Sequence, residues 1–169
     1  MKKVTSILIG VLFIAFTACD ITDTPIELSV TNSITKDIAV SVNQTNGSQS
    51  LSETTTVNLS DIVSNVGDIT DVKINSLTYK FKDFTGNTDG RVESISLKIN
   101  NSEFANGTDI DPSKEESFNV DSSKFATLES ILKNDSQTTL AVDGSLQSNA
   151  GDMSFNIEIL IDLTVTLKN

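Results

Sequence analysis

The stretch MSFNIEILIDLTVTLKN, residues 153–169, decides the fold. From Met153 every second residue through Phe155, Ile157, Ile159, Ile161, Leu163 and Val165 to Leu167 is apolar, while Asn156, Glu158, Asp162, Thr164 and Thr166 make the alternate positions mostly polar. Strict period two marks a strand with one buried face. Residues 153–167 at about 3.4 Å each span roughly 50 Å, against a usual strand of about five or six residues. Such a strand must curve around the core or cross between sheets. A transmembrane barrel strand alternates too, but it comes with aromatic girdles, and this chain has no Trp and one Tyr. The pattern therefore predicts a central, core-lining strand with Ile159 inward and Glu158 outward, so that Glu158→Lys is expected to be nearly silent.

Working outward, alternation recurs. Ile26, Leu28 and Val30 mark a short strand, Ile38, Val40 and Val42 a second, and Thr55, Val57 and Leu59 a third after a polar turn segment at 44–53. The segment SDIVSNVG begins at a serine and stops at Gly67, which predicts a short helix near 60–66. In DVKINSLTYKF, Val72 and Ile74 hold one parity but Leu77, Tyr79 and Phe81 the other; a β-bulge near Asn75-Ser76 puts both sets on one face. Asp89-Gly90 marks a turn into a return strand with Ile95, Leu97 and Ile99. A polar connection over 100–116 leads to Phe118 and Val120. Phe125, Leu128, Ile131 and Leu132 then fall at helical spacing behind a serine cap, giving a helix near 123–133. Leu140, Val142 and Leu146 alternate before the final turn and strand. The expected fold is mostly β, with sandwich-like antiparallel sheets, one helix near 123–133 and a short one near 60–66. A strand-helix-strand-strand unit also occurs twice, VNLSD at 57–61 echoing FNVDS at 118–122. Taken as a repeat, it implies a pseudo-symmetric fold rather than an immunoglobulin sandwich.

The beginning of the chain reads differently. Lys2 and Lys3 precede a run from Val4 to Phe16 that is apolar apart from Thr5, Ser6 and Gly10. This is the layout of a secretory signal peptide, and it falls short of the roughly 20 residues of a membrane-spanning helix. The only cysteine, Cys19, follows Phe16-Thr17-Ala18. That segment resembles a bacterial lipobox, with Phe16 standing where the pattern has leucine. The resemblance implies a signal peptide over 1–18, removed before Cys19, a palmitate-type lipid anchor on Cys19, a lipidated tether over 19–25, and a single mostly-β domain over 26–169. Asp20 and Asp23 follow the cysteine. They resemble an inner-membrane retention signal of enterobacterial lipoproteins or a surface-export signal of Bacteroidota lipoproteins. The Asn-, Thr- and Ser-rich, Trp-free composition resembles the second group. The implied location is the bacterial cell envelope, anchored by lipid at the outer membrane on its periplasmic or surface face.

Composition narrows the chemistry. Without residues 1–18 the formal charge moves from −11 to −13, because the leader carries two lysines and no acid. Nucleic acid is therefore not an expected partner. Histidine is absent, which removes Ser-His and Cys-His nucleophiles and the usual zinc site. A carboxylate hydrolase needs only two acidic groups, yet the scarcity of aromatic rings argues against a sugar-gripping cleft. No enzyme activity and no cofactor are expected.

Two loops carry candidate metal ligands. TGNTDG, residues 85–90, resembles the middle of a calcium loop, but Thr85 and Ser96 stand where the first aspartate and the bidentate glutamate belong. The weak candidates are Asp109, Asp111, Glu115 and Glu116, flanking Pro112. Tyr79 reads as a core residue. The expected function is binding or structural, through protein–protein contact. The alternative is a module handling lipid or another hydrophobic ligand in an apolar cavity.

Overall fold

A computed structural model describes residues 27–43, 47–59, 68–135, 137–148 and 151–168. Its longest pairings are built on the final strand. β8 (Met153–Lys168) runs antiparallel between β1 (Glu27–Val42) and β3 (Asp68–Gly86). The short β6 (Ser117–Asn119) pairs with the other side of β3, so sheet A has the order β1-β8-β3-β6. Sheet B has the order β2-β7-β4-β5, from β2 (Gly47–Asn58), β7 (Gln137–Ser148), β4 (Arg91–Ile99) and β5 (Ser102–Ile110). The eight inward side chains of β8, Met153 to Leu167, are at most 3% exposed. The strand is central and core-lining, as its alternation predicts. It stays within sheet A along its whole length.

The bulge is where the parity change puts it. β3 shifts register against β8 between Ile74 and Ser76, leaving Val72, Ile74, Leu77, Tyr79 and Phe81 all buried. At the end of β3, Gly86 has φ +107°, and a Cβ there would collide with the backbone of Asp152. Only glycine tolerates that conformation and that approach. The Asn87 N–H donates to the Asp152 carbonyl at 3.2 Å, tying the β3–β4 and β7–β8 corners together.

Several local expectations are corrected. The two short strands expected at 26–30 and 38–42 are, over the described residues, the single strand Glu27–Val42, because pairing with β8 runs without a register shift through the polar centre TNSITKD. Residues 47–53, expected in a turn, belong to β2 and pair with β7 throughout. Residues 102–110, expected in a connection, form β5. There a register shift beside Leu97 and Lys98 lets Phe104 turn inward to 3% exposure. The return strand β4 does not pair with β3 but joins sheet B between β7 and β5, so Asp89-Gly90 makes a corner between sheets. The helix is a 3-10 turn, Ser122–Lys124, running into α1 (Phe125–Asn134). Its cap is Asp121, whose carboxylate accepts the Ser123 N–H at 2.8 Å, rather than a serine. Leu128 and Leu132, one turn apart, are buried, and α1 packs on β3. The leader over 1–18, the tether over 19–25 and the helix expected near 60–66 lie outside the described residues.

The two sheets are related by a rule. Adding four to each strand number (modulo eight) turns β1-β8-β3-β6 into β5-β4-β7-β2, which is the other sheet read from its far edge. The described part of the echo, 57–59 and its counterpart 118–120, sits at equivalent places, the ends of β2 and β6. Eight antiparallel strands in two such sheets form a jelly-roll arrangement.

Candidate functional site

The acidic loop connects β5 to β6. Asp109, Ile110, Asp111, Lys114, Glu116 and Phe118 line a groove of about 260 Å³ there, so an apolar floor meets charges of both signs. Asp111 Oδ1 accepts from the Ser113 hydroxyl at 2.6 Å and from its N–H at 3.1 Å, and lies 3.9 Å from the Arg91 guanidinium. The Ser113 hydroxyl bond, more than the nearby cations, holds the Asp111 carboxyl below the ordinary carboxylate range. Oδ1 of Asp111 thus faces the loop's own turn. Asp109 sits at φ +53°, and Glu115 is not part of the groove's lining. Among the described residues no three carboxylates come together where they could hold a metal ion. Asp109, Asp111 and Glu116 share the groove without the arrangement that could hold an ion.

The calcium-like turn is built as a sheet corner. The Thr85 hydroxyl is 2.8 Å from that of Ser154, the Asn87 side chain accepts the Asp89 N–H at 3.0 Å, and Gly90 N–H reaches the Asn87 carbonyl at 3.2 Å. Arg91 donates to the carbonyls of Thr88 and Gly90, closing the corner with a cation. Ser96 lies away in β4, donating to Glu103 at 2.6 Å.

Tyr79 is a core residue. Its ring stacks on Phe118 at 5.0 Å and meets Phe81 edge-on at 6.4 Å, and burial pushes its hydroxyl pKa up. Around it the interior is filled: Phe81, Leu77, Ile157 and Ile159 are at most 1% exposed.

Sequence reasoning missed the organised outer faces of both sheets. On sheet A, Lys82 sits between Glu158 at 2.6 Å and Asp37 at 2.9 Å, and Lys80 meets Glu158 at 3.0 Å. The Glu158 hydrogen bond, followed by that of Asp37, raises the Lys82 pKa, and Lys82 followed by Lys80 lowers that of Glu158. Glu158→Lys would gather three ammonium groups, which argues against its being nearly silent. Next along β8, Asp162 accepts from Ser33 at 2.5 Å and Ser76 at 2.6 Å, and those hydroxyls lower its pKa. On sheet B, Asp143 takes bonds from Lys98 and Ser52, each at 2.9 Å, and Glu103 from Ser96 and Asn106. Alternation places those on the legible strands outward, but Ser52, Glu103 and Asn106 lie in segments expected as turn and connection. Which of them meet depends on register between strands far apart in sequence.

Near Glu103 and Asp143, with Ser94, Ser96, Asn106 and Thr108, the outer face of sheet B carries an open groove of about 330 Å³. Among the described residues six carboxylates have a displaced pKa, Glu103, Asp111, Asp121, Asp143, Glu158 and Asp162, all downward. Each is therefore held ionised. Cys19, Asp20 and Asp23 lie outside the described residues.

No protein-family model matches the chain, and no curated protein matches it. Among solved structures it is similar to a decameric BFDV capsid protein, at 9% identity over 82% of this chain and 99% of that one, with a TM-score of 0.44. It is also similar to a chain of Desmodium yellow mottle tymovirus, at 11% identity over 100% of this chain and 96% of that one, with a TM-score of 0.37.

Proposed function

We propose that the protein is a lipid-anchored component of the bacterial cell envelope that works by binding or structure, through contact with other proteins, and not by catalysis. The observation that carries this reading is the segment Phe16-Thr17-Ala18-Cys19 at the end of an apolar run, with the chain's only thiol at its last position. A thioether-linked lipid there would fix a rigid sandwich close to the membrane, since a tether over 19–25 reaches only about 25 Å fully extended. Two- or three-chain acylation holds far more firmly than one chain, at about 0.8 kcal/mol per buried CH2.

The fold supports a binding role over the others. A carboxyl that serves as general acid at neutral pH is favoured by a raised pKa, and the displaced carboxylates among the described residues are all lowered. A hydrophobic ligand needs a cavity of several hundred Å³, and the inward faces of β3 and β8 are filled by their own side chains. What the sandwich offers is surface: two stiff polar faces and the strand edges around them. The address is tested by growing cells with radiolabelled palmitate. The wild-type chain should take up label and the Cys19→Ala variant none; an unlabelled wild-type chain, or equal labelling of both, overturns the anchor.

A further inference from the structure

The two ends of sheet A differ in chemistry. β1 starts at Glu27, which pairs with Lys168 at the finish of β8, and Asp68 at the start of β3 pairs with the same lysine. One row further in, Leu28, Leu167 and Ile69 stand side by side across the three strands. Leu167 is buried and Ile69 is partly covered, whereas Leu28, the exposed large hydrophobic residue among those described, is 52% exposed. Val30, two residues along on the same face, is also only partly covered. The opposite end is polar and acidic. There Val42 lies beside Met153, and the corners at residues 87 and 152 are tied together. The finish of β5 and the loop after it lie at that end too, with Asp111 3.9 Å from Arg91, the first residue of β4. They carry Asp109, Asp111, Glu115 and Glu116 against Lys114, a balance that anionic headgroups repel.

The length of chain before Glu27 selects what covers Leu28. Glu27 is eight residues past Cys19, a reach of less than about 30 Å at full extension. The 16 residues of β1 make sheet A roughly 50 Å long. A lipid on Cys19 therefore holds the Leu28 end within reach of the bilayer and lets the acidic end stand clear of it. Laying β1 flat on the lipid would press the exposed Thr31, Ser33, Thr35 and Asp37 against it, with no further exposed large apolar side chain among the described residues to gain from the contact. Upright, the same contact covers Leu28, Val30 and Ile69. Lys168, one row below them, has a long apolar stem and a charged head, the form of side chain that suits a headgroup layer.

We infer that the Leu28 end of sheet A is a membrane-seating surface, which rests in the headgroup region of the bilayer that holds the anchor and turns the acidic end of the sandwich away from it. The occupant is a phospholipid surface. The inference rests on the anchor at Cys19 proposed above, and adds to it a fixed orientation of the domain.

The test uses the full lipidated chain, in which Cys19 has no free thiol, reconstituted in phosphatidylcholine vesicles that carry a nitroxide on the upper acyl chain. Asp68→Cys and Asp89→Cys replace exposed aspartates at the two ends, and each is labelled with the same fluorophore. The label at 68 should be quenched several times more strongly than the label at 89. Adding Leu28→Asp to Asp68→Cys should remove most of that excess, and adding Leu28→Phe should keep it, while flotation with the vesicles stays as in wild type. Leu28 is half exposed and outside the buried core, so both substitutions should melt within a few degrees of wild type. Flotation with equal quenching at 68 and 89, or an excess indifferent to Leu28→Asp, overturns the seat and leaves the anchor standing. A wild-type chain that does not float overturns the anchor and the seat with it.

Discussion

The two faces of β8 hold sheet A together by different physics. Inward, Ile157, Ile159, Ile161, Leu163 and Val165 are all 0% exposed, and burial stabilises by about 25 cal/mol for each Å² of apolar surface removed from water. Outward, the strand is laced to both neighbours by polar bonds: Thr166 to Ser29, Thr164 to Thr31 and Asn75, Asp162 to Ser33 and Ser76, and Glu158 to Lys80 and Lys82. Most link side chains that face across the ladder. Burial is indifferent to a slip of two residues, which returns the inward Ile and Leu side chains to the core. The outer ladder is not, because such a slip sets Asp162 and Glu158 against the wrong partners. The inner face supplies strength, and the outer face fixes register.

The largest effect that tests this division comes from Ile159→Asp. An unpaired carboxylate in the filled interior costs several kcal/mol, comparable to the whole stability of a small domain. The variant should lose its cooperative circular-dichroism melt or fail to accumulate in soluble form. A melt within a few degrees of wild type would mean that the inner face is not the source of strength.

How much of this was legible in the residues follows from the same division. The alternation of β8 and the parity change at Asn75 were readable because one-sided burial forces period two, and a bulge is the one way to reconcile two parities on a single face. β5 was not, because Phe104 is its only large buried side chain and the register shift beside it hides the alternation. The centre of β1 was not readable either: Asn32 and Lys36 occupy inward positions, and the strand continues there through backbone pairing with β8. Turn chemistry at Asp89-Gly90 announced a reversal but could not say which sheet the returning strand would join. The acidic loop showed the limit for sites. Four carboxylates within eight residues are close along the chain, yet the Asx turn of Asp111 onto Ser113 aims one of them back at the backbone.

A middling effect is expected on the outer face from Glu158→Lys. It removes two ion pairs and places a third ammonium beside Lys80 and Lys82, so it should lower the melting temperature by about 2–4 °C, the scale of partly exposed pairs in a domain of this size. The loss should shrink in 1 M salt, where the Debye length falls to about 3 Å. A silent Glu158→Lys would mean that the Lys80–Glu158–Lys82 cluster contributes nothing to the sheet. A loss as large as that of Ile159→Asp would mean that the outer face carries strength as well as register.

The smallest effect, and the one that separates the two outer clusters, belongs to Asp162→Asn. Asp162 is held by the hydroxyls of Ser33 and Ser76, with no lysine among its hydrogen-bond partners, and an asparagine oxygen can still accept from one of them. At neutral pH the shift should be about 1–2 °C, below that of Glu158→Lys, and it should not respond to salt. Its signature lies in acid. Both carboxyls have lowered folded-state pKa values. Each therefore adds stability that is present above its unfolded value, 4.5 for Glu158 and 3.8 for Asp162, and is lost as pH falls through the folded one. The wild-type melting temperature should fall as pH drops from 5 towards 2. In the Glu158→Gln, Asp162→Asn double variant that fall should be shallower, with the two curves converging at the acid end. If the curves stay parallel across that range, neither carboxylate is held by its neighbours, and the outer face of β8 is only solvated.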